Sequence, residues 1–162
     1  MFRRALEEGI VDPARMLQAG MRGSLYGEDD EGIPSQLGVE TIPWTELATL
    51  SPEQLAERAA ARVGDGPAFL SFDVDFVDCA FCPGTGTPEV AGPSSFQAMQ
   101  YLRALAGIPF VGYDVVEVAP PVRRPRAADG AVRGERDVRD AVDGGAAQAG
   151  RAARVTPAAA CG

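Results

Sequence analysis

Two apolar runs, each closed by acidic residues and separated by an amphipathic pattern, constrain this chain more than any other feature. Ala68-Phe69-Leu70-Ser71-Phe72 runs into Asp73 and Asp75, and Ile108 to Val116 runs into Glu117. Between them, Ser94-Ser95-Phe96-Gln97 has capping-box spacing, Phe96, Met99, Leu102 and Ala106 mark an apolar helix face, and Gly107 marks the stop. Strand, helix and strand in that order predict a parallel βαβ unit, because two parallel strands need a crossover. The pattern repeats upstream. Met16 to Met21 and Val39 to Ile42 read as short strands, and Ser51-Pro52-Glu53-Gln54 opens a helix that runs to Val63 and stops at Gly64. Phe2 to about Glu8 fits the end of a helix, with Gly9 as its stop. The expected class is α/β, with helices on both faces of a parallel sheet. Ligands of such sheets sit beyond the carboxyl ends of the strands, which is where Asp73, Asp75 and Glu117 stand.

Charge and composition narrow the partners. Residues 1–121 carry 7 Arg against 18 acidic residues. An acidic body disfavours a nucleic-acid partner and suits a cationic small molecule. No run approaches the ~18 apolar residues of a membrane span. The opening Met-Phe-Arg-Arg-Ala-Leu-Glu-Glu has no signal-length apolar stretch, so no membrane partner and a cytoplasmic location are expected. The chain has no lysine and no histidine. The second absence removes the commonest general base and a leading metal ligand.

Asp73-Val74-Asp75 spaces two carboxylates so that both point to one side if the strand continues. Their mutual repulsion is relieved by a hard cation, and Mn²⁺ or Mg²⁺ is the natural match; a solvated loop start is the alternative. Cys79-Ala80-Phe81-Cys82 invites a zinc or redox reading. A closed zinc site needs four ligands, and only Cys161 remains in a chain without histidine. Two loop substitutions are the expected reading of that cysteine pair.

The residues around the acids carry a resemblance. Ser71-Phe72-Asp73-Val74-Asp75, Pro83-Gly84-Thr85-Gly86-Thr87-Pro88-Glu89, Gly92, Gln18-Ala19-Gly20-Met21-Arg22-Gly23 and Asp114-Val115-Val116-Glu117-Val118-Ala119-Pro120 resemble, in order, the motifs of the arginase/agmatinase (ureohydrolase) family. The resemblance covers essentially residues 1–121. It implies a three-layer α/β/α arginase-like fold around a parallel sheet. It also implies two Mn²⁺ ions sharing a hydroxide that attacks a guanidinium carbon, releasing urea and an amine. By the same resemblance Asp73 is a bridging carboxylate, Asp75 a ligand to one metal, and Glu117 the partner of the substrate guanidinium. Thr85, Gly86 and Thr87 line the approach, with Thr85 as a substrate contact. Agmatine is the family's commonest substrate, and its intact members are expected to be homo-oligomers.

The departures are as specific as the matches. The family has proline where Cys79 stands, and its His-Gly-Gly, Asp-x-His-x-Asp and His-Gly-Thr elements are absent here. No catalytic histidine can therefore be assigned, and Met1 is expected to be an internal methionine used as a start. Residues 122–162 form a second region with 8 Arg, 5 acids and no Leu, Ile, Met, Phe, Trp or Tyr. That composition cannot bury a core face and predicts a disordered tail. A back-translation accounts for it. If residues 122–130 are read from GTA CGA CGG CCC CGG GCA GCC GAC GGC, dropping the first base gives Tyr-Asp-Gly-Pro-Gly-Gln-Pro-Thr, as the family continues. Permitted codons through Asp140 then give Ala-Leu-Phe-Ala-Ala-Asn-Val-Thr-Tyr-Glu-Thr, a good helix sequence. A one-nucleotide frame change near Pro121 is the expectation. Two readings follow: an agmatinase-like hydrolase of which this chain is an inactive fragment, or a non-catalytic remnant that weakly binds a cation or pairs with an intact subunit.

Overall fold

The computed structural model describes residues 2–25, 27 and 30–119, and the expected tail and its frame change lie outside these residues. Helix α1 (Phe2–Glu7) comes first, and Gly9 takes φ 68° just after it. Strand β1 (Leu17–Met21) and a short helix α2 (Ile33–Gln36) lead to β2 (Glu40–Pro43) and α3 (Trp44–Leu47). Helix α4 (Pro52–Val63), strand β3 (Ala68–Asp73), helix α5 (Ser95–Ala104) and strand β4 (Phe110–Val116) complete the order. Strand β1 pairs in parallel with β2, and β3 in parallel with β4. The α/β class expected from the alternation is present, carried by two parallel crossovers.

Local chemistry fixes the two long helices. Ser51 accepts from the Gln54 amide at 3.3 Å while the Gln54 side chain accepts from the Ser51 amide at 2.8 Å. Ser94 and Gln97 repeat this reciprocal pair at 3.2 and 2.9 Å. Each box satisfies two amides that have no partner within the helix. Gly64 closes α4 at φ 66°, where an L side chain is disfavoured.

The core forms two groups. Ile42, Leu47, Leu55 and Tyr101 are buried together, with Leu17, Trp44 and Phe76 packed on them. A second group, Ala59, Ala68 and Ile108, joins α4 to the starts of β3 and β4. Strand β4 is half-buried with Val111 exposed, and Phe69 of β3 is 56% exposed. One expectation is corrected. The buried face of α5 is Ala98, Tyr101 and Leu102, while Phe96 is 68% exposed. Tyr101 sets that face, because its hydroxyl donates to the carbonyls of Leu47 and Leu50 at 3.0 and 3.1 Å.

Gly20 shows how β1 supports the site. It has φ 83° and lies at a register shift between Ala19 and Met21. A Cβ there would come within 2.3 Å of the Phe76 ring, so glycine alone lets Phe76 lie against β1. Phe76 in turn meets the edge of Trp44, with ring centroids 5.7 Å apart. The residue directly after Asp75 is thus anchored in the core.

Candidate functional site

Strand β3 ends at Asp73, and the chain turns at once into a 3-10 segment, Val74–Phe76. Asp73 caps that turn, its Oδ1 accepting from the Asp75 amide at 2.8 Å. The strand therefore does not continue through Asp75, and the two carboxylates are not successive positions on one strand face. A short carboxylate that bonds the backbone two residues on competes with the strand ladder and ends it.

Asp75 is held from the opposite side. Its Oδ1 accepts from the Thr85 hydroxyl and its Oδ2 from the Thr87 hydroxyl. Thr85 is 1% exposed, so the expected substrate contact is engaged with Asp75 inside the protein. Thr85 also forms an antiparallel bridge with Val118, and the Ala119 amide donates to the Gly84 carbonyl at 2.9 Å. These bonds draw the segment after β4 onto the threonine loop. Asp73 faces Val116 in the strand register, so Glu117 follows directly at the same strand ends. Glu117 is exposed and has φ 61°, a left-handed conformation unusual for a non-glycine residue.

Electrostatics report the same gathering. Partial desolvation, foremost, pushes the Asp73 carboxyl above its ordinary range, although the residue as a whole stays solvent-accessible. The bond from the Asp75 amide opposes this, the charges of Asp75 and Glu117 add to it, and Arg22 opposes it again. Three acids at one site and a nearby guanidinium are what these effects describe. Asp78, three residues on, is held below its usual range chiefly by the Ala80 amide. Its turn carries Cys79 and Cys82, both half-buried and neither in a disulfide, while Cys161 lies outside the described residues.

The described residues alone do not make up a donor set for two Mn²⁺ ions. Among the described residues no three His, Cys, Asp or Glu side chains are grouped as a metal site requires. Both oxygens of Asp75 already accept hydroxyl protons, and the sequence has no histidine. Two hard-oxygen ligands are a minority of the six or so such ions demand. Asp73, Asp75, Glu117 and Thr85 are the candidates the sequence offers; Arg22, given no role there, reaches the carbonyls of Phe76 and Glu89 with its guanidinium at 2.6 and 3.0 Å. The available signal was its place inside Gln18-Ala19-Gly20-Met21-Arg22-Gly23, a stretch already set apart as a motif.

A parallel α/β fold with acids, threonines and a left-handed glutamate at its strand ends defines a class, and the comparisons place the chain within it. The arginase family profile matches residues 1–133. The chain belongs to the arginase family. It is 50% identical over 120 residues to guanidinopropionase from Pseudomonas aeruginosa, covering 74% of this chain and 38% of that protein. It is 41% identical over 119 residues to the mitochondrial agmatinase of Gallus gallus, covering 74% and 35%. Among solved structures, a hypothetical agmatinase from Burkholderia thailandensis superposes with TM-score 0.71 at 34% identity, covering 94% of this chain and 44% of that one. Proclavaminate amidino hydrolase from Streptomyces clavuligerus gives TM-score 0.75 at 32% identity, covering 89% and 46%. The chain thus spans between 35% and 46% of the length of these relatives. No described helix is long and apolar enough to cross a membrane.

Proposed function

We propose that this chain carries part of the active site of a guanidino hydrolase, of the kind that splits a guanidino compound with water into urea and an amine. One observation supports this above the rest: Asp73, Asp75, Thr85 and Glu117 meet at the carboxyl ends of two adjacent parallel strands in an arginase-family fold. In this reading Asp73 and Asp75 are carboxylate ligands in an Mn²⁺ centre completed by residues outside this chain. Glu117, exposed at the rim, pairs its two oxygens with the planar guanidinium of the substrate. Thr85 fixes the direction of Asp75 from within and so shapes the floor beneath the substrate. No hydrolytic step is assigned to the described residues, because they do not enclose the metals. Guanidinopropionase and agmatinase among the relatives make a small linear guanidino compound the substrate class. Agmatine is the working choice, and a cytoplasmic location accompanies it.

The 162-residue chain by itself is then expected to release no urea from agmatine or guanidinopropionate, and to hold no pair of Mn²⁺ ions tightly. Fused behind the remaining upstream portion of the Pseudomonas aeruginosa guanidinopropionase, and carrying the alternative frame after Pro121, it should give Mn²⁺-dependent urea release. Asp73→Ala in that fusion should abolish the release, and Glu117→Gln should weaken turnover of guanidino substrates at unchanged metal content. Urea release from the chain alone, free of host enzyme, would overturn the fragment reading. Full activity of the Glu117→Gln fusion on every guanidino substrate would overturn the role of Glu117.

A further inference from the structure

We propose that Arg22 is the positioning residue of this site: its guanidinium ties the two ends of the Phe76–Val90 loop together and so holds Asp75, Thr85 and Thr87 in mutual register. The inference rests on the reading above for its relevance to hydrolysis, but its geometry stands on bonds within the chain.

Arg22 follows β1 directly, so its backbone belongs to the strand scaffold. Its Nη1 donates to the Phe76 carbonyl at 2.6 Å, and its Nη2 to the Glu89 carbonyl at 3.0 Å. Longer contacts reach Val77 from Nη2 and Val90 from Nε, both at 3.4 Å. The acceptors form two pairs of adjacent carbonyls, one starting directly after Asp75 and the other two residues after Thr87. A planar fork with donors in fixed directions can span both pairs at once. A lysine ammonium, a compact point charge, cannot.

The loop is built to receive this fork. At Gly92 a Cβ would lie 2.7 Å from both Cζ and Nη2 of Arg22 and 2.9 Å from the Asp78 amide nitrogen, so only hydrogen fits. Backbone bonds from Cys79 to Glu89 at 3.1 Å and from Asp78 to Pro93 at 2.9 Å hold the two loop ends side by side. Arg22 closes the open side of that pairing. Asp75 then finds both threonine hydroxyls, since the loop end that carries it and the stretch that carries Thr85 and Thr87 share one anchor. A rival role, supply of positive charge beside Asp73, needs a cation near the site and no fork.

Hydrogen exchange on the full 162-residue chain separates the two, using Arg22→Lys and Gly92→Ala. The lysine variant keeps the charge and loses the fork; the alanine variant keeps Arg22 and pushes a methyl group against it. Both are expected to exchange the amides of Val77, Asp78, Cys79, Phe81 and Cys82 at least tenfold faster than the parent, with α4 and α5 unchanged. The Thr85 hydroxyl proton, visible by NMR in the parent through its bond to Asp75, should disappear in both. Parent-like loop exchange and a retained hydroxyl signal in Arg22→Lys would overturn the proposal in favour of charge alone. Equal acceleration in α4 and α5 would overturn it in favour of a general structural role, and Gly92→Ala still decides the matter if Arg22→Lys does not fold. No metal or substrate enters this experiment. Failure of the urea measurements therefore sinks the hydrolase reading alone, and unchanged exchange sinks the Arg22 proposal alone.

Discussion

A glutamate in the left-handed region is a cost that the fold carries at Glu117, with φ 61°. For an L residue that conformation costs about 1–2 kcal/mol, and such strain concentrates at functional positions. The side chain is exposed, so core packing does not compensate. Glu117→Gly is therefore expected to stabilise the chain by up to ~1 kcal/mol, because glycine adopts this conformation freely while adding some entropy to the unfolded state. Urea unfolding followed by the fluorescence of Trp44, the single tryptophan, measures it. Ala91→Gly, at φ 59° but with no carboxylate to lose, serves as the control. A loss of more than 1 kcal/mol on Glu117→Gly would mean that the carboxylate is structural. The candidates for the site were legible in the sequence, since Asp73, Asp75 and Glu117 close apolar runs. Their geometry was not. Whether Asp73 continues a strand or caps a turn depends on which amide its carboxylate captures, and that of Asp75 is a local competitor no alternation pattern reveals.

At the scale of elements, the boundaries of α4 and α5 were legible because a capping box is a four-residue event, complete within the local sequence. The buried face of α5 was not, because it is chosen by a contact 54 residues away, from Tyr101 to Leu47. The burial of Tyr101 makes the packing of α5 pH-sensitive. Burial raises the Tyr101 pKa above its ordinary value near 10, so the fold favours the neutral phenol. That stability is fully present below the unfolded pKa of about 10 and is lost as pH rises through the higher folded value. Tyr101→Phe is expected to cost about 1–2 kcal/mol at neutral pH, since one hydroxyl serves two carbonyls. It should also flatten the decline in stability above about pH 10 relative to the parent. The absence of lysine leaves few other groups titrating there, so the difference between the two alkaline unfolding curves isolates Tyr101. Parallel declines in both proteins would show that the phenol is not the group responsible.

Across the whole molecule, the face of β3 and β4 that carries Phe69, Ser71 and Asp114 is unfinished among the described residues. Phe69 is exposed, and the buried Asp114 Oδ1 has no hydrogen-bond partner. An apolar ring left to water and an orphaned buried carboxylate oxygen both mark a surface that expects cover. From residue 122 onward the sequence offers no Leu, Ile, Met, Phe, Trp or Tyr with which to provide it. The alternative frame does: it replaces residues 122–140 with Tyr-Asp-Gly-Pro-Gly-Gln-Pro-Thr-Ala-Leu-Phe-Ala-Ala-Asn-Val-Thr-Tyr-Glu-Thr. Each large apolar side chain fully buried from that segment contributes roughly 1.5–3 kcal/mol before the entropy of ordering the segment is subtracted. A net gain of about 1–3 kcal/mol is the expectation for a chain carrying it, because backbone ordering consumes most of the gross term. Two measurements on purified proteins check this: the urea midpoint, which should rise, and the binding of an apolar dye, which should fall. Equal midpoints and equal dye binding in the two chains would show that the alternative frame supplies no cover, and the frame-change explanation of the tail composition would fall with it.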